Sequence, residues 1–307
     1  MANSNNWGDG AANNAIGWGQ GANNAIGWGS THATSWAGLT DIVGVTTDSD
    51  AAAFITAAAI TNETQKAAIN TLVTDLKGYS IWSKMKALYP FVGSTASQHK
   101  FNLKDPRDLD AAFRLVFSGG WTHSVNGVLP NGTNAFADTK FNINNFTSAS
   151  NLSIGSYFRN NTIIDGYDFG QGFGTFSQEG VLLFARGSSS RLYYSAIGNT
   201  ASTLITNTNS SGFYVITRGN TTEQNLHIRV SQTVNNTQTR TVLNNYASKN
   251  IFLGAINNAP LLPASNPAFY SNRQQALTFM ADYLTQAEVD NLTTAVQAFQ
   301  TTLGRQV

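Results

Sequence analysis

Cleaving a glycosidic bond takes two carboxylates facing each other across the sugar, about 5–9 Å apart. On one strand that demands alternation of the Glu-x-Asp-x-Glu kind, and the strand-like runs of this chain carry nothing similar: Glu179 and Glu223 stand alone. Asp165-Gly166-Tyr167-Asp168 has the charges, but a turn rich in Gly and Asp explains it as well. Asp105, Asp108 and Asp110 flank Pro106, where they turn the chain or cap local structure; their other reading is as oxygen ligands for calcium. His32, His99, His123 and His227 show no spacing that suggests zinc or a catalytic triad. Gly170-x-Gly172-x-Gly174 lacks the strand–turn–helix setting of a nucleotide site. With no cysteine, thiolate metal sites and disulfides are excluded. These residues predict a non-enzymatic protein without a cofactor or bound metal.

Binding is the better candidate. Asp165, Tyr167, Asp168, Phe169 and Phe173 lie on a glycine-punctuated stretch and could offer flat rings and hydrogen bonds to a glycan. The opposing consideration is that β-sandwiches bury alternate aromatics in their cores.

A second kind of recognition is written into residues 1–47. Asn13-Asn14-Ala15-Ile16-Gly17-Trp18-Gly19 recurs ten residues later as Asn23-Asn24-Ala25-Ile26-Gly27-Trp28-Gly29, after a degenerate first copy around Trp7. In an extended chain an even step keeps equivalent side chains on one face, so Ile16, Trp18, Ile26 and Trp28 share a side. Ordering so much glycine costs entropy that a partner surface must offset. We therefore read residues 1–47, with Trp7 and Trp36 as further anchors, as a docking strap; the plainer reading is a disordered polar leader.

Composition narrows the partners. Only 11% of residues are charged and the formal charge is +1, which leaves no electrostatic footprint for nucleic acid or anionic membrane. The start of the chain has neither a basic nor an apolar segment of the secretory type, and no uncharged apolar run is long enough to span a bilayer. The expectation is a soluble protein made in a cytosol.

The elements that must position these residues change character along the chain. Over 48–96 the spacing predicts two helices beyond a short alanine-rich one: Asn62-x-x-Gln65 as a capping box before Ile69, Leu72, Val73 and Leu76, then a stripe of Ile81, Trp82, Met85, Leu88 and Tyr89 ended by Pro90. Such a hairpin cannot bury its apolar face alone: it must pack on the neighbouring domain, on the strap or on copies of itself, and we expect Ile81, Trp82, Met85 and Leu88 to contact other subunits. Over 97–307, short runs rich in aromatic and β-branched residues alternate with Gly, Asn and Ser clusters and no intervening helices, which predicts an antiparallel sandwich or barrel. A final helix is marked by the capping box Thr285-x-x-Glu288 and the stripe Val289, Leu292, Val296, Phe299 and Leu303, which packs on the sandwich, the reading we favour, or forms a short coiled-coil seam between subunits.

Lys100–Val307 resembles the concanavalin A-like, laminin-G-type jelly rolls of tailed-bacteriophage structural proteins. The similarity runs through Lys104–Leu115, Gly119–Ser124, Asn126–Thr133, Ala137–Asn142, Phe269–Arg273 and the tail Leu284–Arg305. The Asn-Asn-x-Ile-Gly-Trp-Gly repeats are similar to leaders of virion proteins in phages of Bacteroidetes-type hosts. A departure falls at Gln274–Tyr283, where the usual Gly-Asp-Gly turn keeps only Asp282. The resemblance implies a virion component, a head or tail fibre, spike or decoration subunit, trimeric as projecting phage proteins commonly are. It would be held to capsid, portal or tail by residues 1–47 and display a lectin-like fold toward a host-surface glycan. A free lectin and a polysaccharide depolymerase are the alternatives.

Overall fold

The computed structural model describes residues 47–172, 180–198, 205–243, 249–258 and 266–307. The strap residues Trp7, Ile16, Trp18, Ile26, Trp28 and Trp36, and the glycan candidate Phe173, lie outside them.

The helices start where polar side chains satisfy their free amides. Helix α1 (Ser49–Ala57) is capped by Asp48, which accepts from the Asp50 amide at 2.9 Å. Helix α2 (Glu63–Gly78) is capped by Asn62, which accepts from the Gln65 amide at 3.0 Å. Helix α3 (Ala96–His99) is a single turn. In helix α4 (Gln286–Thr302) Thr285 and Glu288 form the reciprocal capping box. The strands are β1 (Met85–Tyr89), β2 (Val116–Ser118), β3 (Trp121–Ser124), β4 (Gly127–Pro130), β5 (Phe136–Asn142), β6 (Leu152–Phe158), β7 (Phe169–Gln171), β8 (Val181–Phe184) and β9 (Arg191–Ala196). They continue with β10 (Ile205–Thr206), β11 (Gly212–Arg218), β12 (Glu223–Arg229), β13 (Val234–Thr239), β14 (Asn250–Leu253), β15 (Ile256–Asn257), β16 (Pro267–Ala268) and β17 (Gln275–Ala281).

They form the two sheets of a jelly-roll sandwich. The first has the order β13-β12-β11-β6-β17-β4-β3, with β1 also pairing β17; the second runs β10-β9-β8-β7-β14-β5-β2, with β15 and β16 beside β7. Pairing between these strands is antiparallel except for the parallel contact of β15 with β7, and an isolated bridge joins Tyr167 to Tyr270 in parallel. The first sheet is covered on both faces. Tyr214, Ile216, Ile154 and Met280 point into the sandwich with Phe141, Leu183 and Leu253. Phe213, Val215, Tyr157 and Phe279 point outward into a second core with Leu72 and Leu76 of α2 and Leu292, Val296 and Phe299 of α4. Every residue of β6, β11 and β17 is consequently buried. The terminal stripe packs on the sandwich, the favoured of the two readings its spacing leaves open.

Two expectations are corrected here. Residues 48–96 are not a separate collar, because their apolar side chains complete the same core as the sheet, and Asp48–Val307 is one compact unit. Nor do Ile81, Trp82, Met85 and Leu88 form a helix offered to other subunits. After a short turn at Trp82–Lys84 the chain becomes β1, and all four side chains are buried within their own chain. The misreading has a specific cause. A β-bulge between Met85 and Ala87 adds one residue against β17, so Met85 and Leu88, three apart, face the same helical layer. The bulge gives a strand the spacing of a helix.

Candidate functional site

At one end of the sandwich the loops are tied together by a buried ion pair. Arg273 donates from Nη1 to Asp168 Oδ1, and both side chains have no solvent exposure. Ser271 Oγ also donates to Asp168 Oδ1 (2.7 Å), and the Ala185 amide to Oδ2 (2.8 Å). The other arm of the guanidinium donates to the carbonyls of Thr162 (2.9 Å) and Arg186 (2.8 Å). One pair thus fastens the β6–β7 loop, the β8–β9 loop and the approach to β17. Around it Ser210 Oγ donates to Thr162 O (3.2 Å), Asn160 Nδ2 donates to Asn272 O (3.3 Å), and a Cβ on Gly166 would lie 2.1 Å from Tyr270 O. Loops held this firmly on a rigid scaffold are suited to present side chains. Asn161, Asp165, Ser188, Ser189 and two large apolar residues, Ile163 and Phe269, are exposed at this apex.

Asp165 remains at the surface. It accepts from Ser188 N (2.9 Å), Ser188 Oγ (2.8 Å) and Arg191 Nη2 (3.1 Å). Partial burial works to raise this carboxyl, but the bonds from Ser188 and Arg191 outweigh it and hold it below its ordinary value.

The predicted glycan set is therefore divided. Asp168 is the buried strut, Phe169 is fully buried in the sandwich core, and Tyr167 lies beneath the surface between Phe184 and Phe269. Asp168 and Phe169 cannot meet a ligand, because β7 begins inside the fold rather than on a loop. The acidic cluster is spoken for by cations: Asp105 pairs with Arg107, Asp108 with Lys100 and Arg114, and Asp110 with Arg114. Among the described residues no group of three or more His, Asp or Glu is placed to hold a metal.

Two features escape sequence inspection. His99 and His123 meet Nδ1 to Nδ1 at 3.0 Å, from α3 and β3, against Phe91, Phe117 and Trp121. Phe269 stands exposed in a segment with no periodicity.

The opposite end of the sandwich receives the chain. β17 runs from Gln275, beside the apex loops, to Ala281, a seven-residue strand spanning about 20 Å. Beyond it the Asp282 amide donates to Lys84 O, and Lys84 Nζ donates to Tyr283 O. Trp82 Nε1 donates to Asp50 (2.9 Å), and Lys77 binds Asp48 (2.7 Å). Asp48, where the compact unit begins, thus lies at the base, away from the apex loops.

No protein-family model and no curated protein matches the chain. The crystal structure of HCR/D-Sa-GBL1/C is similar to it with a TM-score of 0.39 and 12% identity, over 70% of this chain and 53% of that one. The chain spans about half the length of that protein, and so slight a likeness bears on neither function nor partners. No described helix is long and apolar enough to cross a membrane.

Proposed function

We propose that this chain is a non-enzymatic structural component of a bacteriophage virion, docked through the Trp- and Ile-bearing repeats of residues 1–47, with its jelly roll turned toward the host surface. The observation that carries this reading is polarity within the unit. Residue 48 joins the sandwich at the base, while the loops fixed by Asp168 and Arg273 gather at the other end. A protein held by its N-terminal segment would present those loops outward. The phage resemblance of Lys100–Val307 and of the repeats supplies the setting. The lack of alternating strand carboxylates, and the engagement of Asp165 with Ser188 and Arg191, favour binding over hydrolysis.

The test is a chain beginning at Asp48. It should fold, since Asp48–Val307 is a compact unit with its own apolar cores, and should be missing from purified particles. Replacing Trp18 and Trp28 together with Ala should give the same defect. Normal incorporation of both variants would refute the docking model.

A further inference from the structure

Phe269 has φ 53°, a left-handed conformation that costs a residue bearing a side chain roughly 1–2 kcal/mol. Two other phenylalanines share it, Phe91 at φ 45° and Phe113 at φ 61°. Phe91 is buried, and Phe113 packs edge-on against Phe141 at 4.8 Å, so burial offsets their strain. Phe269 is 41% exposed, and packing does not compensate for its backbone. The conformation is imposed from beneath. Phe269 O accepts from the Tyr167 amide (2.8 Å), and two residues on the Ser271 amide donates to Gly254 O (2.8 Å) while its hydroxyl holds Asp168. The hub keeps an aromatic ring in solvent. Uncompensated strain at an exposed ring is what a binding position shows and a packing position does not.

A row of rings backs it: Tyr167 lies 6.0 Å from Phe269, Phe184 5.7 Å from Tyr167, and Tyr193 5.5 Å from Phe184, each edge to face. At the far end Gly187 leaves room that a side chain would close, since its Cβ would sit 2.3 Å from the Phe184 ring and 2.4 Å from Asp165 Oδ1. Asp165, Ser188 and Arg191 thus border the row. Among the described residues Asp165 Oδ2 accepts from Ser188 Oγ alone, which leaves it a lone pair to spare.

We propose that this patch is a stacking site for a neutral glycan, with Phe269 against the apolar face of one pyranose and Asp165, Ser188 and Arg191, at the far end of the row, exchanging hydrogen bonds with hydroxyls of the adjoining sugar. The proposal rests on the reading of the apex as the presented end. Charge selects the occupant: within the border Asp165 and Arg191 neutralise each other at 3.1 Å, leaving Arg186, which donates to Asn161 Oδ1 (2.6 Å), as the nearby cation without a carboxylate, so the border itself gives an acidic polymer no net attraction. Size does too, because one exposed ring with a narrow polar border falls far short of the ~800 Å² per partner of a stable protein interface. Single-site affinity would be weak, and several copies on one particle would supply avidity.

The experiment applies the full-length protein, clustered on beads, to an array of neutral and acidic glycans. Retention of neutral glycans is expected, with binding to those glycans reduced on the order of tenfold in Phe269→Ala and restored in Phe269→Trp. Phe269→Gly should lose binding as well while its melting temperature stays level or rises, because glycine relieves the strain; a purely structural residue would show the reverse. Unchanged binding in Phe269→Ala, retention of acidic glycans only, or no retention at all would each overturn the proposal. These outcomes are separable from the virion reading, whose test is incorporation of chains lacking residues 1–47.

Discussion

His99 should make this protein sensitive to mild acid. Its ring is 2% exposed and packs edge-on to Phe91 at 5.9 Å, with its Nδ1 on His123 and the buried Arg305 nearby. Burial, reinforced by the like charges of a protonated His123 and of Arg305, pushes its pKa down from 6.5 to about 3. The unfolded chain therefore binds a proton near pH 6.5 that the folded chain refuses until about pH 3. A depressed folded-state pKa in a histidine means stability that is present above 6.5 and is lost as pH falls through the interval below it. At pH 5 the unfolded ring is about 1.5 units below its pKa, at roughly 1.4 kcal/mol per unit, so this one residue removes about 2 kcal/mol between pH 7 and pH 5. His123 and His227, both lowered by burial, add to the loss in the same direction. The cation-paired carboxylates Asp48, Asp108 and Asp110, held low mainly by Lys77, Lys100 and Arg114, act lower, as pH falls below about 4.

Urea unfolding at pH 7, 6 and 5 measures this directly. The wild-type chain should lose about 2 kcal/mol or more over the range, and His99→Gln, although less stable at pH 7, should lose about 2 kcal/mol less. Parallel curves for the two proteins would refute the argument, as would an NMR titration in which the His99 ring protonates near 6.5 in the folded state.

Two further substitutions probe the scaffold. Asp168→Ala leaves Arg273 buried without its anion and should cost about 3–5 kcal/mol, read as a lower urea midpoint; a loss under about 1 kcal/mol would show the pair to be dispensable. Trp82→Ala should cost a similar ~3–5 kcal/mol by emptying the core beneath Lys104, whose Nζ lies 4.5 Å from the indole. The readout is thermal unfolding together with mass in solution, and a change of mass without loss of stability would restore Trp82 as a subunit contact.

What could be read in advance was local. The caps at Asn62 and Thr285 each join residues three positions apart, and both are present. The sandwich was legible as well, because turn chemistry between β-rich runs is also local. The failures share one property: the partner lies far along the chain. Asp168 reads as a turn residue beside Gly166, and only Arg273, 105 residues on, makes it a buried strut. Met85 and Leu88 read as a helical stripe because neither the bulge against β17 nor the second apolar layer over the first sheet is visible from their neighbours. Phe269 is the sharpest case, since Tyr167, Ser271 and Gly254 set its strain together and nothing in Phe-Tyr-Ser-Asn announces it. Long-range contacts therefore rearranged the expected site, burying Asp168 and Phe169 to hold the loops and leaving Phe269 to face solvent. An apolar ring kept in water at a backbone cost has to be balanced by what it binds, so its removal should improve stability and impair recognition in one step.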